Sequence, residues 1–165
     1  MTDNQASATQ DDALKQLVVQ KIYLKDCSFE SPNSPEMFAV GQWDPKLQLN
    51  ITTSSKVIGP DLWEVVLHIN IEAKQNDRAA FLCEIQQAGI VTLKGFTEEE
   101  RRRLLGGYCP GLVFPYAREA VSDLVGKGGF PQLMLQPINF EALYQRHSDE
   151  TRAQQSAAGA GVEPH

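Results

Sequence analysis

The residue types able to carry chemistry are few in this 165-residue chain, and their spacing brings no two of them together. His68, His147 and His165 stand apart from one another and from carboxylates at ligand spacing, so they read as ordinary exposed histidines and no metal is expected. Cys27, Cys83 and Cys109 are odd in number and far apart, with no C-x-x-C pair, which fits neither a disulfide framework nor zinc. Cys109 is the one candidate nucleophile, and no base lies near it in the sequence. The glycine run GKGG at 126–129 lacks the spacing of a phosphate loop and reads as a helix stop, while EEERRR at 98–103 reads as a solvated helix face.

What the chain has in surplus is apolar surface. Between Gly106 and Tyr144 it concentrates Tyr108, Phe114, Tyr116, Phe130, Leu133, Met134, Phe140 and Tyr144, more than two short helices need for their own packing. That pattern points to binding of other chains, not to catalysis. A formal charge of −6 opposes contact with phosphate backbones, so nucleic acid is not an expected partner, and it keeps a protein that displays apolar patches in solution. The cysteine usage fits a reducing cytosol. The start MTDNQASATQDDALK is polar and acidic where a signal peptide is basic then apolar, so neither export nor membrane insertion is expected.

The elements that must present this surface follow from periodicity. Residues 17–29, LVVQKIYLKDCSF, are rich in β-branched and aromatic types and read as a long strand. SPNSPEMFAVGQWDP reads as a rigid crossover carrying Phe38, Val40 and Trp43. Leu47, Leu49 and Ile51 alternate with polar residues, as do Trp63, Val65, Leu67, Ile69 and Ile71, giving two strands with one wet face each. A turn at 75–77 leads into a fourth strand over 80–93, so the sheet is mainly antiparallel.

Helices follow. Thr97 and Glu100 form a capping box for a short helix that stops at Gly106-Gly107. A longer helix carries Phe114, Ala117, Val121, Leu124 and Val125 on one face and starts at either Pro110 or Pro115; a last helix is capped by Asn139 and carries Phe140, Leu143, Tyr144 and His147 on one stripe. Strands followed by helices make the class α+β. The domain is expected over 14–147, with disordered tails at 1–13 and 148–165.

Strand parity marks one further surface. Asp26, Ser28 and Glu30 share one face of the first strand, and Leu82, Glu84 and Gln86 share one face of the fourth. If these strands are neighbours they form an acidic patch; the alternative is the ordinary wet side of a half-buried sheet.

The segments IYLKDCSFESPNSP, AFLCEIQQAGI, GGYCPGLVFPYARE and GGFPQLMLQPINFEALY closely resemble the SecB protein-export chaperones in order and spacing, over residues 17–144. The resemblance implies a four-stranded antiparallel sheet with a crossover between its first two strands, packed with helices, and assembly as a homotetramer, a dimer of dimers. It implies an ATP-independent cytoplasmic holdase, without catalytic residues or cofactors, that binds unfolded precursor proteins and delivers them to the SecA motor. On this chain the client-binding groove falls on Phe38, Val40, Trp43, Leu47, Leu49, Phe130, Leu133, Phe140 and Leu143. The SecA-docking surface falls on Asp26, Glu30, Leu82 and Glu84, the positions strand parity had already grouped, and oligomer contacts fall around Tyr108, Cys109 and Pro110. A small-molecule-binding or catalytic α+β domain using the aromatic cleft and Cys109 is the competing reading.

Overall fold

A computed structural model describes residues 14–159. Four strands, β1 (Gln16–Glu30), β2 (Lys46–Gly59), β3 (Leu62–Gln75) and β4 (Arg78–Lys94), form one antiparallel sheet in the order β1-β4-β3-β2. β1 and β2, consecutive in the chain, thus occupy opposite edges, and residues 31–45 cross between them, as the resemblance implied. The helices follow: α1 (Glu98–Arg103), α2 (Cys109–Lys127) and α3 (Phe140–Gly159).

The core forms where alternation and helical period meet. Leu67, Ile69, Ile71 and Ala73 of β3 and Phe81, Cys83 and Ile85 of β4 are buried on one face of the sheet in one cluster with Val113, Phe114, Ala117, Val121 and Val125 of α2, while Val65, Val91 and Leu93 form a second cluster with Leu105 and Cys109. The crossover is tied to the β3–β4 hairpin at both ends. Asn33 Nδ2 donates to the Ala79 carbonyl at 2.9 Å, and the buried Gln75 side chain donates to the Gln42 carbonyl at 2.9 Å while accepting from the Asp44 amide at 3.1 Å. Left-handed Asn76 and Asp77 close the hairpin.

Two helical expectations change. The capping box forms, with Glu100 N donating to Thr97 Oγ1 at 3.2 Å and Thr97 N to Glu100 Oε2 at 2.9 Å, but the helix does not stop at Gly106-Gly107. It runs through one π turn, Leu104–Tyr108, directly into α2, which starts with Pro110 near its beginning and holds Pro115 inside. The glycines there serve packing: a Cβ on Gly106 would stand 2.4 Å from the Tyr144 ring of α3. The tail expected from residue 148 is also corrected, since α3 continues to Gly159. Residues 148–158 lie almost wholly in solvent, and Ala, Gln, Glu and Arg keep the helix going by their own propensity without an apolar face. The expected tail at 1–13, the last residues of the expected tail at 160–165 and His165 lie outside the described residues.

On the opposite face of the sheet, Glu64 is 5 % exposed yet ionised. Lys25 Nζ donates to both its oxygens, at 2.8 and 2.9 Å, Tyr23 donates through its hydroxyl, and Lys56 Nζ lies 3.3 Å away. These hydrogen bonds, Lys25's first and Tyr23's next, hold the Glu64 carboxyl down at about 2, and the same bond to Glu64 pushes Tyr23 up to about 12. The cluster joins β1, β2 and β3 through one carboxylate. Because the folded value lies below the ordinary 4.5, its stabilisation is complete above pH 4.5 and is lost as pH falls towards 2. Glu64→Gln should therefore lower the unfolding midpoint in urea at pH 7, and its deficit against wild type should shrink steadily between pH 4.5 and 2; a deficit independent of pH would assign the loss to packing alone.

Cys83 and Cys109 are wholly buried, and burial pushes both thiols up to about 11, whereas Cys27 is exposed on β1. A neutral alkylating reagent should accordingly add once, at Cys27, to the native protein and three times after denaturation, as read by intact mass; fast modification of Cys109 in the native protein would restore it as a reactive group.

Candidate functional site: an uncovered strand face and an acidic sheet surface

Among the described residues β2 is an edge strand, paired with β3 alone. Its odd-numbered side chains share the core face of the sheet: Leu47 stands opposite Ala73, Leu49 opposite Ile71 and Ile51 opposite Ile69. The β3 partners are at most 3 % exposed, whereas Leu47 and Leu49 are 48 % and 45 % exposed. Two leucines of core parity therefore face water beside a closed core. Ile51, which the sequence reading left off the groove, is half-buried and packs against the core at the middle of this strip.

The crossover supplies the adjoining wall. Phe38 is 55 % exposed, and Val40 and Trp43 are half-buried. Phe38 and Trp43 pack on Phe130, whose ring centroid lies 5.0 Å from Phe38, 5.2 Å from Trp43, 5.2 Å from Phe81 and 6.4 Å from Phe29. Phe130 is itself 5 % exposed, so the structure moves it from the groove wall to the core beneath it. Phe140 moves likewise: at 5 % exposure it packs against Phe114, with centroids 5.4 Å apart and ring planes tilted by 60°, and anchors α3. Leu133 is half-buried, and Leu143 is 42 % exposed on α3. Asn139 caps that helix by accepting from the Ala142 amide at 3.0 Å. Two positions of the nine thus support the site from below. Sequence period alone cannot separate them, since a groove wall and a groove floor share one stripe.

A second pocket, of about 450 Å³, lies at the far end of the same β2 face, lined by Ser55, Trp63, Glu98, Arg101, Arg102, Leu105, Gly106 and Tyr144. Only Tyr144 was singled out by its helical period; Trp63 was read as an ordinary strand residue and the arginines as solvated.

The other side of the sheet resolves the parity question. Asp26 pairs with Gln86, Ser28 with Glu84 and Glu30 with Leu82, so the two strands are neighbours and Asp26, Glu30, Leu82 and Glu84 lie on one surface. The row continues to His68, Asn70 and Glu72 on β3. Leu82 is half-buried while Asp26, Glu30 and Glu84 are exposed, and no Lys or Arg pairs with these three carboxylates among the described residues. The nearest histidine, His68, shares a hydrogen bond with Ser54 at 3.1 Å. No group of three potential metal ligands assembles among the described residues.

The expected oligomer contacts separate. Tyr108 is 44 % exposed, but Pro110 and Cys109 are fully buried within the chain and cannot be what a second copy touches. Tyr116, two turns along α2, is 53 % exposed. No helix of the described residues is long and apolar enough to cross a membrane.

Comparison with known proteins agrees with this architecture. The family model for preprotein translocase subunit SecB matches residues 10–151. The chain is 50 % identical over 146 residues to the protein-export protein SecB of Methylococcus capsulatus, covering 88 % of this chain and 92 % of that one. It is 49 % identical over 148 residues to the SecB of Alcanivorax borkumensis, covering 88 % and 94 %. Among solved structures, a SecB-like chaperone of Mycobacterium tuberculosis, in complex with a ChAD peptide from an antitoxin, matches with a TM-score of 0.60 at 18 % identity, over 77 % of this chain and 89 % of that one. This chain belongs to the SecB family, and it is a protein-export chaperone, not an enzyme.

Proposed function

We propose that the chain is a cytoplasmic, ATP-independent holdase that keeps unfolded precursor proteins in an extended state along β2 and hands them to the SecA motor. The observation that carries this reading is the apolar core-facing side of β2, where Leu47 and Leu49 are open to solvent beside a closed core. An extended client that covers one large side chain removes on the order of 100 Å² of apolar area from water, about 2.5 kcal/mol at ~25 cal/mol per Å². One such contact is too weak to overcome the cost of association, so several are needed. β2, at about 3.3 Å per residue, offers room for them on a client spanning ten or more residues. Folded proteins have already buried these side chains, which restricts the clients to chains that have not folded. The SecB-like neighbour was solved with a bound peptide, which is consistent with this mode of use.

Assembly multiplies the groove. In a homotetramer a long client meets several copies at once, and avidity replaces affinity. Tyr108 and Tyr116 on α2, with Met134 at 63 % exposure, supply apolar surface for such contacts. The acidic sheet surface of Asp26, Glu30 and Glu84 around Leu82 is the docking face for SecA, suited to a basic segment that also brings an apolar residue. Such docking is salt-sensitive, because the carboxylates are exposed.

The two surfaces lie on opposite faces of the sheet and should separate by mutation. Leu49→Glu should lower affinity for a denatured precursor at least tenfold, as measured by suppression of light scattering on dilution from denaturant, with the unfolding midpoint little changed because the side chain is already half exposed. Phe140→Ser should instead unfold at distinctly lower denaturant. Glu84→Lys should weaken SecA binding while holdase activity persists. Loss of SecA and client binding together in Glu84→Lys, at unchanged stability, would remove the division of labour between the two faces.

A further inference from the structure

We infer that Gly129 is a positioning residue of the client groove: acting through the Phe38 ring that rests on it, it sets how firmly the crossover wall holds an unfolded chain. This rests on the holdase reading and gives a second task to the glycine run that ends α2.

The run first ends the helix. Phe130 N donates to the Val125 carbonyl at 3.3 Å and Gly129 N to the Gly126 carbonyl at 3.0 Å, the paired bonds of a Schellman stop. In that motif the residue after the cap takes left-handed backbone, and Gly129 has φ +85°. Val125 and Phe130, joined by the longer bond, share the main core cluster, so the stop also turns Phe130 inward.

Backbone conformation does not explain the whole run. Gly128 has φ −70° and ψ −3°, which any residue adopts. Its missing side chain is a matter of packing, since a Cβ there would overlap the Phe29 ring, which itself stacks on Phe81 with centroids 5.6 Å apart. At Gly129 a Cβ would stand 3.2 Å from Phe38 Cζ and 3.3 Å from Cε1, inside ordinary van der Waals distance. Two rings, one from β1 and one from the crossover, thus lie on consecutive bare Cα atoms, and the next residue, Phe130, is a ring neighbour of both.

The two seats differ in what can give way. Phe29 is held among Phe81 and Phe130, whereas Phe38 is 55 % exposed and has solvent on its open side. A methyl group at position 129 therefore displaces the Phe38 ring and loosens its contact with Phe130, where the centroids are 5.0 Å apart. A wall ring fixed from below is already ordered when a client arrives. A loosened ring has to be ordered during binding, and affinity falls accordingly.

The test titrates the full-length protein into a fluorescein-labelled precursor kept unfolded by capping its reduced cysteines with iodoacetamide. Fluorescence anisotropy should show a Kd about fivefold higher in Gly129→Ala, the fold-change that ordering one large side chain represents. Gly129→Asn brings the same Cβ with less strain, because Asn tolerates left-handed backbone. Its Kd should rise as far, while its unfolding midpoint falls less than that of Gly129→Ala. Phe38→Leu raises Kd by itself, but adding Gly129→Ala to it should change Kd by less than about twofold, because the shorter side chain no longer reaches position 129. An undiminished loss in the Phe38→Leu background would assign the effect to the helix end and overturn the inference, as would wild-type affinity in both Gly129 variants. A wild-type protein that fails to bind the unfolded precursor overturns the holdase reading itself, and the role of Gly129 falls with it.

Discussion

Because, among the described residues, β2 pairs on one side only and has no helix over Leu47 and Leu49, these residues meet water on a face where their ladder partners are buried. This exposure follows from the crossover. By carrying the chain from one edge of the sheet to the other, residues 31–45 leave β3 and β4 in the centre, where α2 covers them, and leave β2 at the margin of the helical layer. A hairpin connection would have put β2 beside β1 and changed which strand lies at the margin. The groove is therefore a property of topology, and the bonds of Asn33 and Gln75 that tie down the crossover are part of it.

Core and groove are not separate structures in this chain. Phe130 touches the fully closed Phe81 on one side and the open Phe38 and half-open Trp43 on the other, so packing that stabilises the fold also sets the shape of the binding wall. Phe140 has the same double duty for α3. Leu49 and Leu143, by contrast, remain exposed at the rim.

The sheet's other face is divided electrostatically. At one end Lys25, Lys56 and Tyr23 converge on Glu64, neutralising a buried carboxylate, and the long lysine side chains cover the sheet there. At the other end Asp26, Glu30 and Glu84 have no such partners among the described residues and surround Leu82. Carboxylates on one face thus have opposite roles. The paired one holds three strands together, and the unpaired ones form a field outside the protein that a basic partner can neutralise.

Strand alternation, the capping signals at Thr97 and Asn139 and the family-specific segments were all legible in the residues, because each depends on local period or on short-range hydrogen bonds. Parity grouped Asp26 with Glu30 and Leu82 with Glu84, each within its own strand, whereas their union into one row was decided by the sheet order. The amino-acid order did not reveal that Phe130 and Phe140 lie below the groove, that Pro110 and Cys109 are interior, or that Gly106 is a seat for Tyr144 and not a helix stop. Nor did it join Arg101 to Trp63, which are 38 positions apart. Local period assigns a residue to a face; whether that face is covered depends on which distant element packs over it, and that was decided by the strand order and the placement of α2 and α3.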